Sequence, residues 1–400
     1  MLHRHRVLAL LFVLSIITFL DRVCISVAGP RMQSELGITP AMWGWVVGVF
    51  AIAYAAFEIP SGAMGDRLGP RRVLTRIVVW WSGFTALTGV VSSYPALLVV
   101  RFLFGAGEAG AYPNCSTTIA RWFPTGERAQ ALGLVWMASR LGGAMAPFVV
   151  LPIQAQYGWR ASFWIFGGIG LVWAAVWYGW YRDPETRSAP GAARHRVPLK
   201  AMIRDRNLWL ILLMYHVYCY GGYFYQSWLH TYLVKGRGFS ENEMRFYSAL
   251  PFVLGALANG VGGFAGDFLV RRIGLFWGRR AIGILGLSAA AAFTLGAALV
   301  DGKIAAAVLL ALGLGASDFM LPSAWALCVD VGREYAGAVS GAMNTAGQLG
   351  SFLSSVLFGY AVAAWGSYNL PLIPIAALLL LSALLWLKID PTRVLSSTSE

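Results

Sequence analysis

The chain has 400 residues, of which 58% are hydrophobic and only 12% are charged. An average soluble domain has about 25% charged residues, so this composition excludes a soluble protein. The formal net charge is +13, but the sequence offers no soluble domain that would bind a nucleic acid. The basic charge instead fits contact with the anionic heads of membrane lipids.

Apolar runs separated by charged residues, Pro or Gly predict twelve membrane-spanning helices. Runs such as 7–20 and 376–387 extend, with small and aromatic neighbours, to the roughly 20 residues that cross a bilayer. The predicted spans are 7–28, 41–63, 73–93, 96–119, 130–153, 160–181, 207–233, 245–269, 280–300, 304–329, 336–363 and 367–388. The expected fold class is an all-α membrane protein, whose first span is an uncleaved helix rather than a signal peptide.

The distribution of basic residues predicts the orientation. With both termini in the cytoplasm, 22 of the 31 Lys and Arg residues fall in cytoplasmic segments, 6 fall outside and 3 lie within spans. The positive-inside rule therefore favours cytoplasmic termini. We expect a multi-pass protein of the cell inner membrane that works as a monomer in the lipid bilayer.

A polar segment divides the spans into two sets of six. Residues 182–206 contain three prolines and seven basic residues, as expected of a connection between domains. We expect an N-terminal six-helix bundle over 1–181, a cytoplasmic loop over 182–206 and a C-terminal six-helix bundle over 207–400.

The two halves also repeat each other. Gly65-Asp66-Arg67-Leu68-Gly69-Pro70-Arg71-Arg72 follows the second span, and Gly266-Asp267-Phe268-Leu269-Val270-Arg271-Arg272 follows the eighth. Tyr157-Gly158-Trp159 and Trp365-Gly366-Ser367 correspond in the same way. A parallel repeat of six helices explains both matches, and such duplications place the solute site between the halves, near the middle of the membrane.

The loop after the second span resembles the signature loop of the major facilitator superfamily. Its glycines permit a tight turn, and Asp66 can meet a helix N-terminus or an arginine in one conformation and lose that contact in the other. We expect a conformational gate motif formed by Gly65, Asp66, Arg67, Gly69, Arg71 and Arg72. The resemblance implies the major facilitator fold of two six-helix halves.

Three further segments resemble the anion:cation symporter family. They are Phe19-Leu20-Asp21-Arg22 in span one, 101–109 in span four and 121–129 after it. The resemblance implies uptake of organic anions such as hexonates, hexuronates, aldarates or phthalate-like acids, usually with protons. In that family the matching Asp and Glu carry protons, and the matching Arg of span one contacts the substrate carboxylate.

Charged residues within spans are the first candidates for the site, because burying them costs roughly 2.5–3.5 kcal/mol each. Asp21 and Glu108 are the candidate proton-binding groups, and Arg22, Arg101 and Arg140 are the candidate anion-binding groups. Adjacent Asp21 and Arg22 diverge by about 100° and cannot both point at one substrate. We expect Arg22 to bind the substrate carboxylate and Arg101 to influence Glu108, seven residues along one helical face.

Each assignment has a structural alternative. Asp21, Glu108 and Arg101 would also serve as salt bridges that only hold helices together. Arg140 stands where the resembling sugar-acid transporters tend to have a neutral polar residue, so it either recognises a second carboxylate or balances Glu58 or Asp318. Asp318 itself is unassigned, and Glu58 is better read as interfacial.

Neutral polar and aromatic residues complete the candidate set. Substrate contacts are expected from Tyr54 in the first half and from Ser323, Trp325, Asn344 and Gln348 in the second. Packing between helices is the alternative for these residues. His216 and His230 are better read as lining or packing than as proton relays.

The function predicted from these residues is import of a small organic anion by proton symport, with rocker-switch alternating access. The alternatives are an exporter of drugs or metabolites, a transporter of aromatic carboxylates and a nutrient sensor. Exporters usually carry a Gly-Pro-x-x-Gly-Gly motif in span five, and 139–147 lacks that order. Neither metal-ligand spacing nor a phosphate-binding loop is found, so we expect no enzyme, no metal and no cofactor.

Overall fold

The structure, a computed structural model, describes residues 2–123, 125–183 and 199–395. Helices occupy almost all of this length because the chain's apolar runs must satisfy their backbone hydrogen bonds internally when lipid is the solvent. Seven described helical segments are long and apolar enough to cross a membrane on length and composition.

Seven helices account for the first six predicted spans. They are α1 Leu2–Glu35, α2 Pro40–Leu68, α3 Pro70–Thr88, α4 Tyr94–Glu108, α5 Ala111–Trp122, α6 Thr125–Tyr157 and α7 Trp159–Trp180. The predicted fourth span is thus not continuous, because α4 and α5 are separated at residues 109–110.

The remaining six predicted spans follow after residue 198. The elements are α8 Leu199–Arg204, α9 Arg206–Ser227, α10 Leu229–Thr231, a π-helix Tyr232–Gly236, α11 Glu241–Leu299, α12 Lys303–Gly332, a 3-10 helix Arg333–Tyr335, α13 Ala336–Trp365 and α14 Leu372–Trp386. The 59-residue α11 covers two predicted spans and is interrupted at Gly274, whose φ of 79° is not helical.

The described helices assemble into two compact units. Among the described residues, the first comprises 2–123, 125–183, 226–249 and 355–363, and the second comprises 199–225, 250–354 and 364–395. Residues 184–198, which contain most of the predicted interdomain loop, lie outside the described residues. The domain boundaries at 181 and 206 therefore stay a prediction.

Small residues set the closest helix contacts in each unit. In the first unit α1 packs mainly against α6, and α3 packs mainly against α7. A Cβ atom on Gly142 of α6 would lie 2.5 Å from the Ile16 carbonyl oxygen of α1. In the second unit a Cβ atom on Gly350 of α13 would lie even closer to the carbonyl oxygen of His216 in α9. Close approach through glycine is common between membrane helices, and here it recurs at matching positions of the repeat.

The repeat extends to backbone conformation. Gly158 before α7 has a φ of 79°, and Gly366, its counterpart in the second half, has a φ of 62°. Both values lie in the region that only glycine adopts readily. Glycine therefore follows the fifth predicted span of each half, in the connection to the sixth.

Candidate substrate and proton site

A buried ion pair joins α1 to α4 in the first unit. The Arg22 Nε donates a hydrogen bond to Glu108 Oε1 at 2.5 Å, and Glu108 is fully buried. Glu108 is the last residue of α4, next to the interruption at Ala109, whose ψ is 134°. The sequence led us to expect that Arg101 influences Glu108. Arg101 does interact electrostatically with Glu108, but the hydrogen-bonded partner of Glu108 is Arg22.

Aromatic rings surround the Arg22 guanidinium. Its carbon lies 4.8 Å from the centre of the Tyr54 ring, 5.2 Å from Phe50, 5.4 Å from Phe19 and 5.9 Å from Tyr112. Cation–π attraction of this kind is strongest where water is excluded. The Nη2 of Arg22 has no hydrogen-bond partner among the described residues. Arg22 therefore keeps a donor for an anion besides Glu108.

Arg101 is the second buried cation of this cluster. It is 3% exposed, and its guanidinium carbon lies 4.7 Å from the Phe104 ring and 5.2 Å from the Phe50 ring. It interacts electrostatically with both Glu108 and Asp21. The guanidinium carbons of Arg22 and Arg101 thus both lie 5.2 Å from the centre of the Phe50 ring.

Asp21 lies in a different environment from Glu108. It is 2% exposed and faces Trp81 and Thr85 of α3. Among the described residues, neither of its carboxyl oxygens has a hydrogen-bond partner of good geometry, and the same is true of the Trp81 and Thr85 donors beside it. A carboxylate without donors is costly to bury. Asp21 is therefore the acid of this cluster least stabilised in its charged form by contacts.

Two aromatic contacts of this cluster were not foreseen from the sequence. Tyr112 of α5 lies at the Arg22 guanidinium, its hydroxyl is 3.1 Å from Ser15 Oγ, and its ring stacks on Trp136 of α6 at 4.5 Å. If α4 and α5 formed one continuous helix, residues 108 and 112 would share a face. The spacing of 108 and 112 could therefore have suggested that Tyr112 lies near Glu108. The interruption at 109–110, which the sequence did not reveal, decides where the Tyr112 ring lies.

The other predicted residues of the first unit lie near this cluster. Tyr54 of α2 is 2% exposed and interacts electrostatically with Glu58 and Arg22. Arg140 of α6 is half-buried and follows Trp136 by one helical turn. The structure thus brings Asp21, Arg22, Tyr54, Arg101 and Glu108 together, with Arg140 on the neighbouring helix.

The candidate residues of the second half lie in the second unit. Ser323 and Trp325 belong to α12, and Asn344 and Gln348 belong to α13. The Trp325 ring meets Tyr215 edge to face at 6.4 Å. Asp318, which sequence reasoning left unassigned, is fully buried and accepts a hydrogen bond from the Tyr218 hydroxyl at 3.1 Å.

The two histidines make local contacts. His230 is fully buried in the first unit, with its Nδ1 2.9 Å from Ser26 Oγ. His216 donates from Nδ1 to the Ala346 carbonyl oxygen at 2.9 Å in the second unit. These contacts are consistent with packing roles.

The predicted gate motif is described in part. Gly69 has a φ of 83° and ends α2, and Pro70 begins α3. Gly65 lies inside α2, where any side chain would collide with Asn114, so close packing rather than a turn requires glycine there. Arg71 donates to the Tyr178 carbonyl oxygen at 2.7 Å.

The other three residues of the motif are Asp66, Arg67 and Arg72. Arg72 is exposed, and the side chains of Asp66 and Arg67 lie outside the described residues. In the corresponding loop of the second half, Arg279 lies between Asp267, at 3.4 Å, and Asp330, at 3.1 Å. Within the described ranges, no group of three or more His, Cys, Asp or Glu residues is arranged to hold a metal ion.

Long apolar helices in a six-helix repeat, with a buried charge cluster in the first unit, define a membrane transporter. The family model of the Major Facilitator Superfamily matches residues 11–355, and the chain belongs to that superfamily. The predicted fold class is confirmed, as is the prediction that the chain is a transporter rather than an enzyme.

Curated relatives and solved structures agree with this assignment. The chain is 33% identical to the probable sulfoacetate transporter SauU of Cupriavidus necator, over 99% of this chain and 96% of the relative. It is 27% identical to the hexuronate transporter of Bacillus subtilis, over 91% and 89%. The crystal structure of a bacterial homologue of the human lysosomal transporter Spinster, inward-facing and unoccupied, matches with a TM-score of 0.81 at 20% identity, covering 97% of both chains.

Proposed function

We propose that the chain imports a small organic anion, such as a sugar acid, together with protons. The observation that carries this proposal is the Arg22–Glu108 ion pair inside the aromatic cage formed by Phe19, Phe50, Tyr54 and Tyr112. The buried carboxyl group of Asp21, whose oxygens accept no hydrogen bond of good geometry among the described residues, belongs to the same cluster. The names of the relatives agree with this, since sulfoacetate and hexuronates are organic anions.

Competition for Arg22 couples the proton to the substrate. While Glu108 is ionised, it holds the Arg22 guanidinium at 2.5 Å. Protonation of Glu108 removes that negative charge, and a carboxylate or sulfonate of the substrate then takes its place on the planar donor fork. Each ligand thereby increases the affinity for the other, as linkage requires.

Asp21 and Arg101 complete the proposed proton site. Since Asp21 has no hydrogen-bond donor with good geometry, its charged form costs free energy, and this suits a group that takes up and releases a proton. Arg101 interacts with both acids, so each protonation affects the other. Tyr54 lines the cage and is proposed to donate to the bound anion.

The rest of the proposal follows from the sequence pattern. We assign Ser323, Trp325, Asn344 and Gln348 to contacts with the polar groups of the substrate. A rocker-switch form of alternating access follows from the six-helix repeat. The basic-residue distribution supports cytoplasmic termini and an inner-membrane location, and nothing in the proposed cycle needs more than one copy of the chain.

Uptake into proteoliposomes tests this proposal. Purified wild type should accumulate a labelled hexuronate or sulfoacetate when an inward proton gradient is imposed. Glu108→Gln should lose gradient-driven accumulation while retaining exchange of labelled for unlabelled anion, because a neutral side chain at 108 fixes the protonated state. Arg22→Ala should lose both activities.

Glu243→Gln is the control, since Glu243 lies in the first turn of α11 and accepts hydrogen bonds from the Ser240 backbone N–H and hydroxyl. It should transport like the wild type. The proposal fails if no organic acid accumulates in folded wild type, or if Glu108→Gln accumulates substrate as well as the wild type does.

A further inference from the structure

Three arginines and three acids lie inside the predicted spans of the first half, away from the first and last turns of those spans. The arginines are Arg22, Arg101 and Arg140, and the acids are Asp21, Glu58 and Glu108, of which Arg140 and Glu58 are half-buried. With all six ionised, the net charge of this set is zero. Protonation of Asp21 and Glu108, the two proposed coupling groups, leaves the set with two positive charges. A net charge in a low-dielectric interior is costly unless a ligand compensates it.

The third arginine, Arg140, lies one helical turn from a pair of stacked aromatic rings that reaches the aromatic cage around Arg22. The Arg22 guanidinium lies 5.9 Å from the Tyr112 ring, and the Tyr112 ring stacks in parallel on Trp136 at 4.5 Å. Trp136 and Arg140 are four residues apart on α6 and therefore share one face of that helix. Arg22 thus lies against one ring of this stack, and Arg140 is one helical turn from the residue that provides the other ring.

The position of α6 against α1 is fixed closely enough for this arrangement to persist. Ser15 of α1 donates to the Val135 carbonyl oxygen of α6 at 2.7 Å, and its oxygen is 3.1 Å from the Tyr112 hydroxyl. Gly142, half a turn beyond Arg140, lets α6 touch the backbone of Ile16. Arg140 is therefore presented on an element that is packed directly against the helix of Arg22.

From this balance and this geometry we infer that the substrate is a small dianion, and that Arg140 binds its second carboxylate or sulfonate group. The inference rests on the proposed function and specifies its substrate class. Arg22 binds one anionic group after Glu108 is protonated, and Arg140 provides a second planar fork for the other. Two protons and one dianion leave the set of charged groups neutral, whereas a monoanion leaves one positive charge uncompensated.

Matched pairs of acids test the specificity. Galactarate and galactonate differ mainly in one terminal carboxylate, and sulfoacetate and acetate differ in one sulfonate. The unlabelled acids compete with uptake of the labelled anion by the wild type. Each dianion should inhibit this uptake at a concentration at least about tenfold lower than its monoanionic partner requires. Arg140→Gln should lose this discrimination, with weaker inhibition by the dianion and inhibition by the monoanion unchanged within about twofold. Arg140→Lys, which keeps the charge without the fork, should fall between them.

A purely structural role for Arg140 gives a different result. In that case Arg140→Gln would weaken both members of each pair equally, or wild type would not discriminate between them, and either finding overturns the inference. The proposed function has its own failure, in which no organic acid accumulates at all. If monoanions accumulate and dianions are not preferred, the proposed import of organic anions stands, but the inference that the substrate is a dianion is wrong.

Electrical measurements provide a second readout. With two protons per dianion, a tenfold inward proton gradient supports about 100-fold accumulation at equilibrium, as linkage of the two ions requires. Imposing a membrane potential with potassium and valinomycin should not change that accumulation, because no net charge crosses. Accumulation that rises with an inside-negative potential would show net positive charge entering with the substrate and would contradict the dianion stoichiometry.

Discussion

Arg22 holds the first unit's site together because a guanidinium can serve three partners at once. Its Nε is occupied by Glu108, its faces lie against aromatic rings, and its Nη2 remains without a hydrogen bond. A lysine has one compact ammonium group and could not combine these contacts. In the proposed cycle this residue therefore links proton binding by Glu108 to anion binding.

Thermal unfolding of Glu108→Gln separates a transport role from a structural one. If protonated Glu108 is part of the cycle, the neutral amide should be tolerated, with a loss of stability within about 1 kcal/mol. A permanent ion pair would instead cost about 3–5 kcal/mol, because Arg22 would remain buried without its partner. Asp21→Asn should be at least as stable as the wild type at neutral pH, since it removes a buried charge that accepts no hydrogen bond of good geometry among the described residues. Large losses of stability in both variants would favour the structural alternative.

The sequence predicted the charged members of this site but not their pairing. Asp21, Arg22, Arg101 and Glu108 stand out because charge inside an apolar span is costly. Spacing along a helix identifies only neighbours within that helix, so it suggested an interaction between Arg101 and Glu108. It could not show that α1 brings Arg22 closer to Glu108. Neutral partners such as Tyr112 carry no comparable signal in a sequence rich in aromatic residues.

The interruption between α4 and α5 is the element that positions Glu108. Gly110 has a φ of 90°, and its α-carbon lies against Ser61 of α2. The run 105–111 consists mostly of small residues and reads as continuous helix, so its composition did not reveal the break. Ending α4 at Glu108 leaves the carboxyl group beside α1 instead of burying it among further turns of the same helix.

Gly110→Ala should therefore impair both folding and uptake. A side chain in this left-handed conformation costs roughly 1–2 kcal/mol, and its Cβ would also collide with Ser61. Thermal unfolding and the initial rate of anion uptake are the measurements. Gly133→Ala is the matched control, because Gly133 is helical with no atom near its Cβ position, and it should be neutral or stabilising by up to about 1 kcal/mol. Equal behaviour of the two variants would show that the break is unimportant.

At the scale of the whole molecule, the repeat of six helices was readable from the sequence because it leaves glycines at matching positions. Gly158 and Gly366 share a positive φ, and Gly142 and Gly350 share a close helix contact. Hydropathy likewise predicted helices that the structure contains, seven of whose described segments are long and apolar enough to cross a membrane. The spans predicted at 245–269 and 280–300 correspond to the parts of α11 before and after Gly274, where the backbone is not helical.

The movement of protons with the anion tests the central claim most directly. Proteoliposomes loaded with a pH-sensitive dye, and free of any imposed gradient, receive the anion on the outside. Wild type should acidify the interior when a sugar acid or sulfoacetate is added, and Asp21→Asn and Glu108→Gln should not, although both should exchange labelled anion. Anion entry without any change of internal pH in the wild type would contradict proton symport and the roles assigned to Asp21 and Glu108.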